Sequence, residues 1–418
     1  MRIAVVAVGT RGDVEPHAAL CQGLRQAGYQ ARLCAPDDFG PSLAERGIPF
    51  DPIPVSFRSL YETADGSALM ATGGNGIRFL RGLSRVAVDV AVPVIAGIKA
   101  ACRQADAVCY SPLGFPALYF AREMGIPAFA TSLQPLGRTG EHANPLLSLP
   151  DWTPGAINRF SYRVVEQVFW QVSRPLLRPH VRDPLPICGH FHELYKGPVP
   201  ALFAYSPLVA PQPRDWKPWM HTTGYWREGM TDWEPPAGLE EFLAAGPTVC
   251  IGFGSMHSRR IARIVDTALE TLARCGRQAL ILTGWSGYAG RRAGQDGNVF
   301  VIGDAPHDWL YPRVSAVIHH GGAGTTAAAL RAGVPSVILP FFFDQGFWGR
   351  RLAACGLGPQ PIPFYRLSTA TLARALDAAE SSPDMRCRLQ RLSTKLRQED
   401  GVGRAVAILG EALDKPGR

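Results

Sequence analysis

His319 and His320 stand immediately before a glycine-rich turn, Gly321-Gly322-Ala323-Gly324, and Thr325-Thr326 follow it. Ala316 to His319 reads as a short buried strand. TTAAALRAG reads as a helix that Thr325 and Thr326 cap and Gly333 stops, with Pro335 just beyond. A strand, a turn without side chains and a helix N-terminus aim backbone N–H groups and the positive end of a dipole at one spot. That arrangement suits a diphosphate. Val334 to Pro340 reads as the next buried strand, and Asp344-Gln345 lie just past its end. An acidic residue about twenty positions after such a turn is placed to hold a sugar hydroxyl.

A second group of candidates lies near the start of the chain. IAVVAV (residues 3–8) is a continuous apolar strand of the kind buried in a parallel sheet. Gly9-Thr10-Arg11-Gly12 turns the chain, and Asp13 stands at the start of the helix VEPHAALCQGLRQAG, in which Pro16 suits the first turn. Asp13 is a candidate general base, and an aspartate here also suits a helix cap. His17, one turn further along, is the alternative base or a wall residue. The first βα turn has no GxGxxG, so it is not built for a dinucleotide.

The elements that position these residues fall into two sets of alternating strands and helices. QARLCAP, 107–110 and 127–131 continue the first sheet, and TVCIGF (248–253), 279–282, 299–302 and 316–318 form the second. Between them, residues 205–238 are rich in proline and tryptophan with little periodicity, as an interdomain linker is. The expected organisation is an N-terminal domain over 1–204, the linker, a C-terminal domain over 239–395, and a terminal segment 396–418. The fold class is α/β: two Rossmann-like βαβ domains with a cleft at the carboxyl ends of their sheets, where open α/β sheets bind ligands.

HHGGAGTT followed by PFFFDQ resembles the donor-sugar signature of nucleotide-sugar-dependent glycosyltransferases of the two-domain GT-B fold. GTRGDVEP matches the branch of the UDP-glycosyltransferase family that holds bacterial antibiotic glycosyltransferases and sterol glucosyltransferases. The resemblance spans most of the chain. It implies a hexose transfer from UDP- or dTDP-sugar to a hydroxyl of an apolar acceptor, such as a natural-product aglycone or a sterol. Asp13 would take the acceptor's proton, His320 would contact the donor phosphates, and Gly12, Gly322, Gly324 and Thr325 would add donor contacts. Asp344 and Gln345 would bond the hexose hydroxyls, although Asp344 is also placed to cap the following helix. Trp285 and the Ala305-Pro306-His307 segment fall where the family encloses the base, and Ser255 would give a second phosphate bond or a cap. His319 would be structural. The last helix would cross back onto the first domain. Plant members carry a ribose-binding glutamate where this chain has Ala328, so UDP and dTDP both stay open. With no DxD pair, transfer is expected to be metal-independent and cofactor-free. A single base opposite the leaving group implies inversion at the anomeric carbon.

Gly322-Ala323-Gly324-Thr325-Thr326-Ala327 also fits GxGxxA, with Asp344 at the spacing of a ribose ligand. An NAD(P)-dependent oxidoreductase is therefore the alternative, and a sugar-nucleotide epimerase of the same fold is another. At 418 residues and a net charge of +8, with arginines dispersed, no basic patch with interleaved aromatics marks a nucleic-acid site. Residues 86–101 are interrupted by Asp89, Pro93 and Lys99, so no integral membrane segment is expected, and no leader opens the chain. The nine cysteines are scattered as small core residues of a reducing compartment, which points to the cytoplasm.

Overall fold

The computed structural model describes residues 1–63, 76–147, 149–150, 152–186, 199–229, 233–254, 259–286 and 294–414. The chain divides into two compact units. The first comprises 1–60, 80–228 and 400–418, and the second 61–79 and 229–399.

The first unit is built on seven strands: β1 (Arg2–Val6), β2 (Gln30–Pro36), β3 (Phe50–Ile53), β4 (Ala107–Tyr110), β5 (Ala128–Ser132), β6 (Ala201–Phe203) and β7 (Met220–Thr222). Their order is β3-β2-β1-β4-β5-β6-β7, and every pairing is parallel. Residues 3–8 of the first strand region are buried, as an apolar run covered on both faces must be. β7 lies inside the stretch expected to link the domains; its prolines and tryptophans hide a strand that only three residues form. The helix Gly401–Leu413 also belongs to this unit. It lies so close to the first helix that a Cβ on Gly23 would stand 2.2 Å from Val402.

That first helix spans Arg11–Gln26, three residues earlier than the sequence suggests, with Thr10 as its N-cap. Asp13 is therefore the third helical residue and Pro16 the sixth. Pro16 interrupts the helical ladder where the Gly12 carbonyl would have found an N–H.

The second unit carries β8 (Thr248–Gly252), β9 (Gln278–Leu282), β10 (Gly294–Asp296), β11 (Val299–Ile302), β12 (Ala316–His319) and β13 (Ser336–Ile338). Their order is β10-β11-β9-β8-β12-β13, parallel except for the β10–β11 pair. Alternate residues feed two cores. Val249, Ile251, Ile281 and Ile318 pack under Ile264, Ala268 and Leu372 on one face. Cys250, Leu280, Leu282 and Val317 pack with Phe242, Tyr311 and Ala328 on the other. Gly333, at φ +72°, closes the helix Ala323–Ala332 in the left-handed region that glycine tolerates.

Five of the described cysteines are buried, but Cys275 and Cys387 are exposed and Cys355 is partly so, which departs from a purely core role. Among the described residues no helix is long and apolar enough to cross a membrane.

Candidate active site

In an open parallel sheet, ligands bind where consecutive connections leave in opposite directions, outside the carboxyl ends of the two strands concerned. The second sheet has that switch point between β8 and β12, because the chain runs outward through β9 and β11 before returning to β12. Gly254, just past β8, lies beside His320, just past β12: a Cβ on Gly254 would stand 3.7 Å from the His320 ring. Gly284, past β9, takes φ +50° and rests on the Gly254 carbonyl, to which the Trp285 N–H donates at 3.1 Å. Three strand ends thus converge on His320. Ser255, next along, lies outside the described residues.

His319 is wholly buried and accepts the Gly321 N–H on Nδ1 at 3.0 Å, which puts the proton of the neutral ring on Nε2. Burial, then His320 and His307, hold it well below the usual imidazole range. His320 is lowered to about 4, first by burial and then by His307, so it is neutral near pH 7. The His307 ring stacks on Tyr311 at 4.5 Å. The His320 ring leaves no room for a side chain on Gly322, where a Cβ would stand 2.5 Å from Nε2. Gly321, at φ +91°, is as confined: a Cβ would meet Ile338 at 2.7 Å and the Gln345 carbonyl at 2.9 Å.

The helix after this turn starts at Ala323 with Gly322 as N-cap, and no side chain caps it. Thr325 and Thr326 are not caps, contrary to expectation. They are the third and fourth helical residues, and the Thr326 N–H donates to the Gly322 carbonyl at 2.9 Å. The first-turn amides of Ala323, Gly324 and Thr325 precede that bond, the position from which helices hold anions.

Asp344 occupies the N-cap position of the helix Gln345–Ala354 but makes no cap bond. Its Oδ2 instead accepts the Trp348 indole N–H at 2.7 Å. Gln345 turns its Oε1 back to accept the N–H groups of Phe341 at 2.8 Å and Phe342 at 3.2 Å. Both side chains are nearly buried, at 7% and 5% exposure. The Gln345 side-chain oxygen is thus committed to the loop that precedes it.

The first unit repeats the design at its own switch point, between β1 and β4. The Val8 N–H donates to Ser111 Oγ at 3.1 Å, tying the two strand ends together. Asp13 Oδ2 accepts the Thr10 N–H at 3.0 Å, so the carboxylate does close the helix N-terminus. Gly9, at φ +145°, makes space for it, since a Cβ there would lie 2.1 Å from the same oxygen. The capping bond orients the carboxylate, so cap and base are compatible roles. Gly12, the second helical residue, is exposed and has open space above it.

His17 is buried, with Nδ1 2.6 Å from the Asp13 carbonyl and Nε2 2.7 Å from Thr131 Oγ1. A carbonyl cannot donate, so Nδ1 carries the proton of the neutral ring, while the Thr131 hydroxyl beside Nε2 donates to the Tyr110 carbonyl at 2.9 Å. Burial lowers its pKa to about 4, against the Asp13 carbonyl bond, which raises it. Both ring nitrogens have partners inside the fold, which ties His17 to the Asp13 turn and to β5. Spacing gave no sign of Thr131, Trp348 or the Gly254–Gly284 contact; each is reached through the tertiary fold alone. Among the described residues no three His, Cys, Asp or Glu side chains are grouped as a metal site would need.

Both halves of the chain resemble known proteins. Residues 3–131 match the glycosyltransferase family 28 N-terminal domain, and residues 292–400 the erythromycin biosynthesis protein CIII-like C-terminal domain. The sterol 3-beta-glucosyltransferase UGT80B1 of Arabidopsis thaliana is 33% identical over 418 residues, covering 97% of this chain and 67% of that protein. A sterol 3-beta-glucosyltransferase of Aspergillus fumigatus is 31% identical over 99% of this chain, which spans only 30% of that longer protein. The solved structure of the glycosyltransferase VinC, in complex with dTDP, superposes with a TM-score of 0.63 at 16% identity, covering 99% of this chain and 100% of VinC. The chain therefore belongs to the nucleotide-sugar-dependent glycosyltransferases of the GT-B fold, in the branch that holds the sterol glucosyltransferases and the antibiotic glycosyltransferases.

Proposed function

We propose that the chain is an inverting glycosyltransferase that moves a hexose from UDP- or dTDP-sugar to a hydroxyl of an apolar acceptor, a sterol or a natural-product aglycone. The observation that carries this is the uncapped helix N-terminus after Gly322, flanked by a neutral His320 and followed by Asp344 and Gln345 at the next strand end. The diphosphate would lie on the helix N-terminus, whose amides and the His320 N–H would stabilise the charge that develops as it departs. Gln345 would donate to, and Asp344 accept from, the hexose hydroxyls. Trp285 and His307 would border the base, and Asp13 would take the proton of the attacking hydroxyl. Stabilisation by amides and an imidazole is the basis for expecting no metal requirement.

The A. thaliana and A. fumigatus relatives are named for sterols, which supports the apolar acceptor, and VinC was solved with dTDP, which supports a pyrimidine nucleoside diphosphate. All three are glycosyltransferases, so neither the oxidoreductase nor the epimerase gains support.

Thermal unfolding with UDP, dTDP, UDP-glucose and NADH, each without metal, tests the donor. Ligand at a hundredfold its Kd stabilises by about 2.7 kcal/mol, a midpoint shift of several degrees. A shift with UDP or dTDP and none with NADH is expected; a shift with NADH alone would overturn the proposal. Asp13→Asn tests the base, because an amide oxygen still accepts the Thr10 N–H and keeps the cap. It should lower kcat about 10²–10⁴-fold with donor binding unchanged.

A further inference from the structure

Phe343 is the one non-glycine residue at positive φ among those described, at +54°, and it directly precedes Asp344. A Cβ is strained in this region, and a bulky residue adopts it only when its surroundings leave no alternative. The surroundings here are explicit. Gln345 Oε1 holds the N–H groups of Phe341 and Phe342 on one side, and Trp348 holds the Asp344 carboxylate on the other. Glycine would take the same turn without strain. The phenylalanine ring does not repay the strain by burial: Phe341 is 7% exposed and packs on Phe253, whereas Phe343 is 44% exposed, with the Phe342 ring edge-on at 4.8 Å.

A hexopyranose carries hydroxyls around its rim and C–H bonds on its faces. A site that binds the rim with Asp344 and Gln345 still needs an apolar surface for a face, and an aromatic ring with its negative π-cloud suits polarised C–H groups. We infer that Phe343 is a specificity-determining contact that covers the C–H face of the donor hexose, held in its left-handed turn by the Gln345 and Trp348 bonds. The inference rests on the proposed donor site and names the part of the donor that this residue recognises.

Calorimetric titration of wild type, Phe343→Ala and Phe343→Gly with UDP, UDP-glucose, dTDP and dTDP-glucose tests it. Both variants should bind the sugar nucleotide about 5–10-fold more weakly and the free diphosphate within twofold of wild type. Both lack the ring but only glycine relieves the turn, so Phe343→Gly should melt a few degrees above Phe343→Ala. Unchanged sugar-nucleotide affinity, or an equal loss for the free diphosphate, would overturn the inference. Wild type that binds none of the four nucleotides would instead remove the donor site, and this contact with it.

Discussion

Acid sensitivity of the first unit should trace to His17. Its pKa falls from 6.5 in a solvated chain to about 4 in the fold, chiefly through burial. The unfolded chain takes up a proton as pH drops through 6.5, and the native state does not until about 4. Stability is therefore lost over that window as pH falls. For one such group the loss is about 2 kcal/mol by pH 5 and about 3 kcal/mol by pH 4. His17→Phe keeps a flat ring against Trp226, whose centroid lies 5.5 Å from that of His17, but removes both hydrogen bonds. That loss should cost about 2 kcal/mol at pH 7.5, where the histidine is neutral in both states. The variant has no proton to gain at this site, and all other groups titrate alike in the two proteins. The gap in urea-unfolding free energy between wild type and variant should therefore shrink from about 2 kcal/mol at pH 7.5 to near zero at pH 5. A gap of the same size at both pH values would refute the reasoning, because it would mean that native His17 accepts a proton as readily as the unfolded chain.

Two further outcomes follow from the second unit. Gly322→Ala places a methyl 2.5 Å from His320 Nε2 without straining the backbone, which sits at φ −60°. It should abolish the thermal shift given by the nucleoside diphosphate while moving the ligand-free midpoint by no more than a few degrees. Gln345→Ala strips the acceptor from the Phe341 and Phe342 amides. A cost of about 2 kcal/mol, seen as a lower melting midpoint of several degrees, is expected even without ligand.

Much of the framework was legible because parallel strands buried on both faces are apolar at every position, so β1, β8, β9 and β12 announce themselves as runs. Glycine turns after strands are equally visible, and Gly333 stops its helix as its type suggests. What failed was finer. Thr325 and Thr326 look like caps by residue type, yet the helix begins earlier because Gly322 reaches the N-cap conformation unaided. Pro16 suggests a later helix start, but one missing N–H is tolerated once Thr10 and Asp13 close the end. β7 was illegible because its three residues owe their strand to β6 alone. The spacing of Asp344 and Gln345 said nothing of how their oxygens are used, since Trp348 and the Phe341–Phe342 amides reach them only after the loop has folded. His17 is the same case: the helix brings it near Asp13, but only the sheet supplies Thr131.

The helix Gly401–Leu413 packs on the first helix of the chain at the bare face of Gly23, and the two are separated by every residue of the second unit. During synthesis the first unit therefore emerges with that face uncovered and stays so while the whole second unit is made. Its last piece arrives only after the ribosome has finished the other sheet. A chain cut short at residue 400 would hold every residue of the second unit while the first unit still lacked this helix, so the unit begun first is the one completed last.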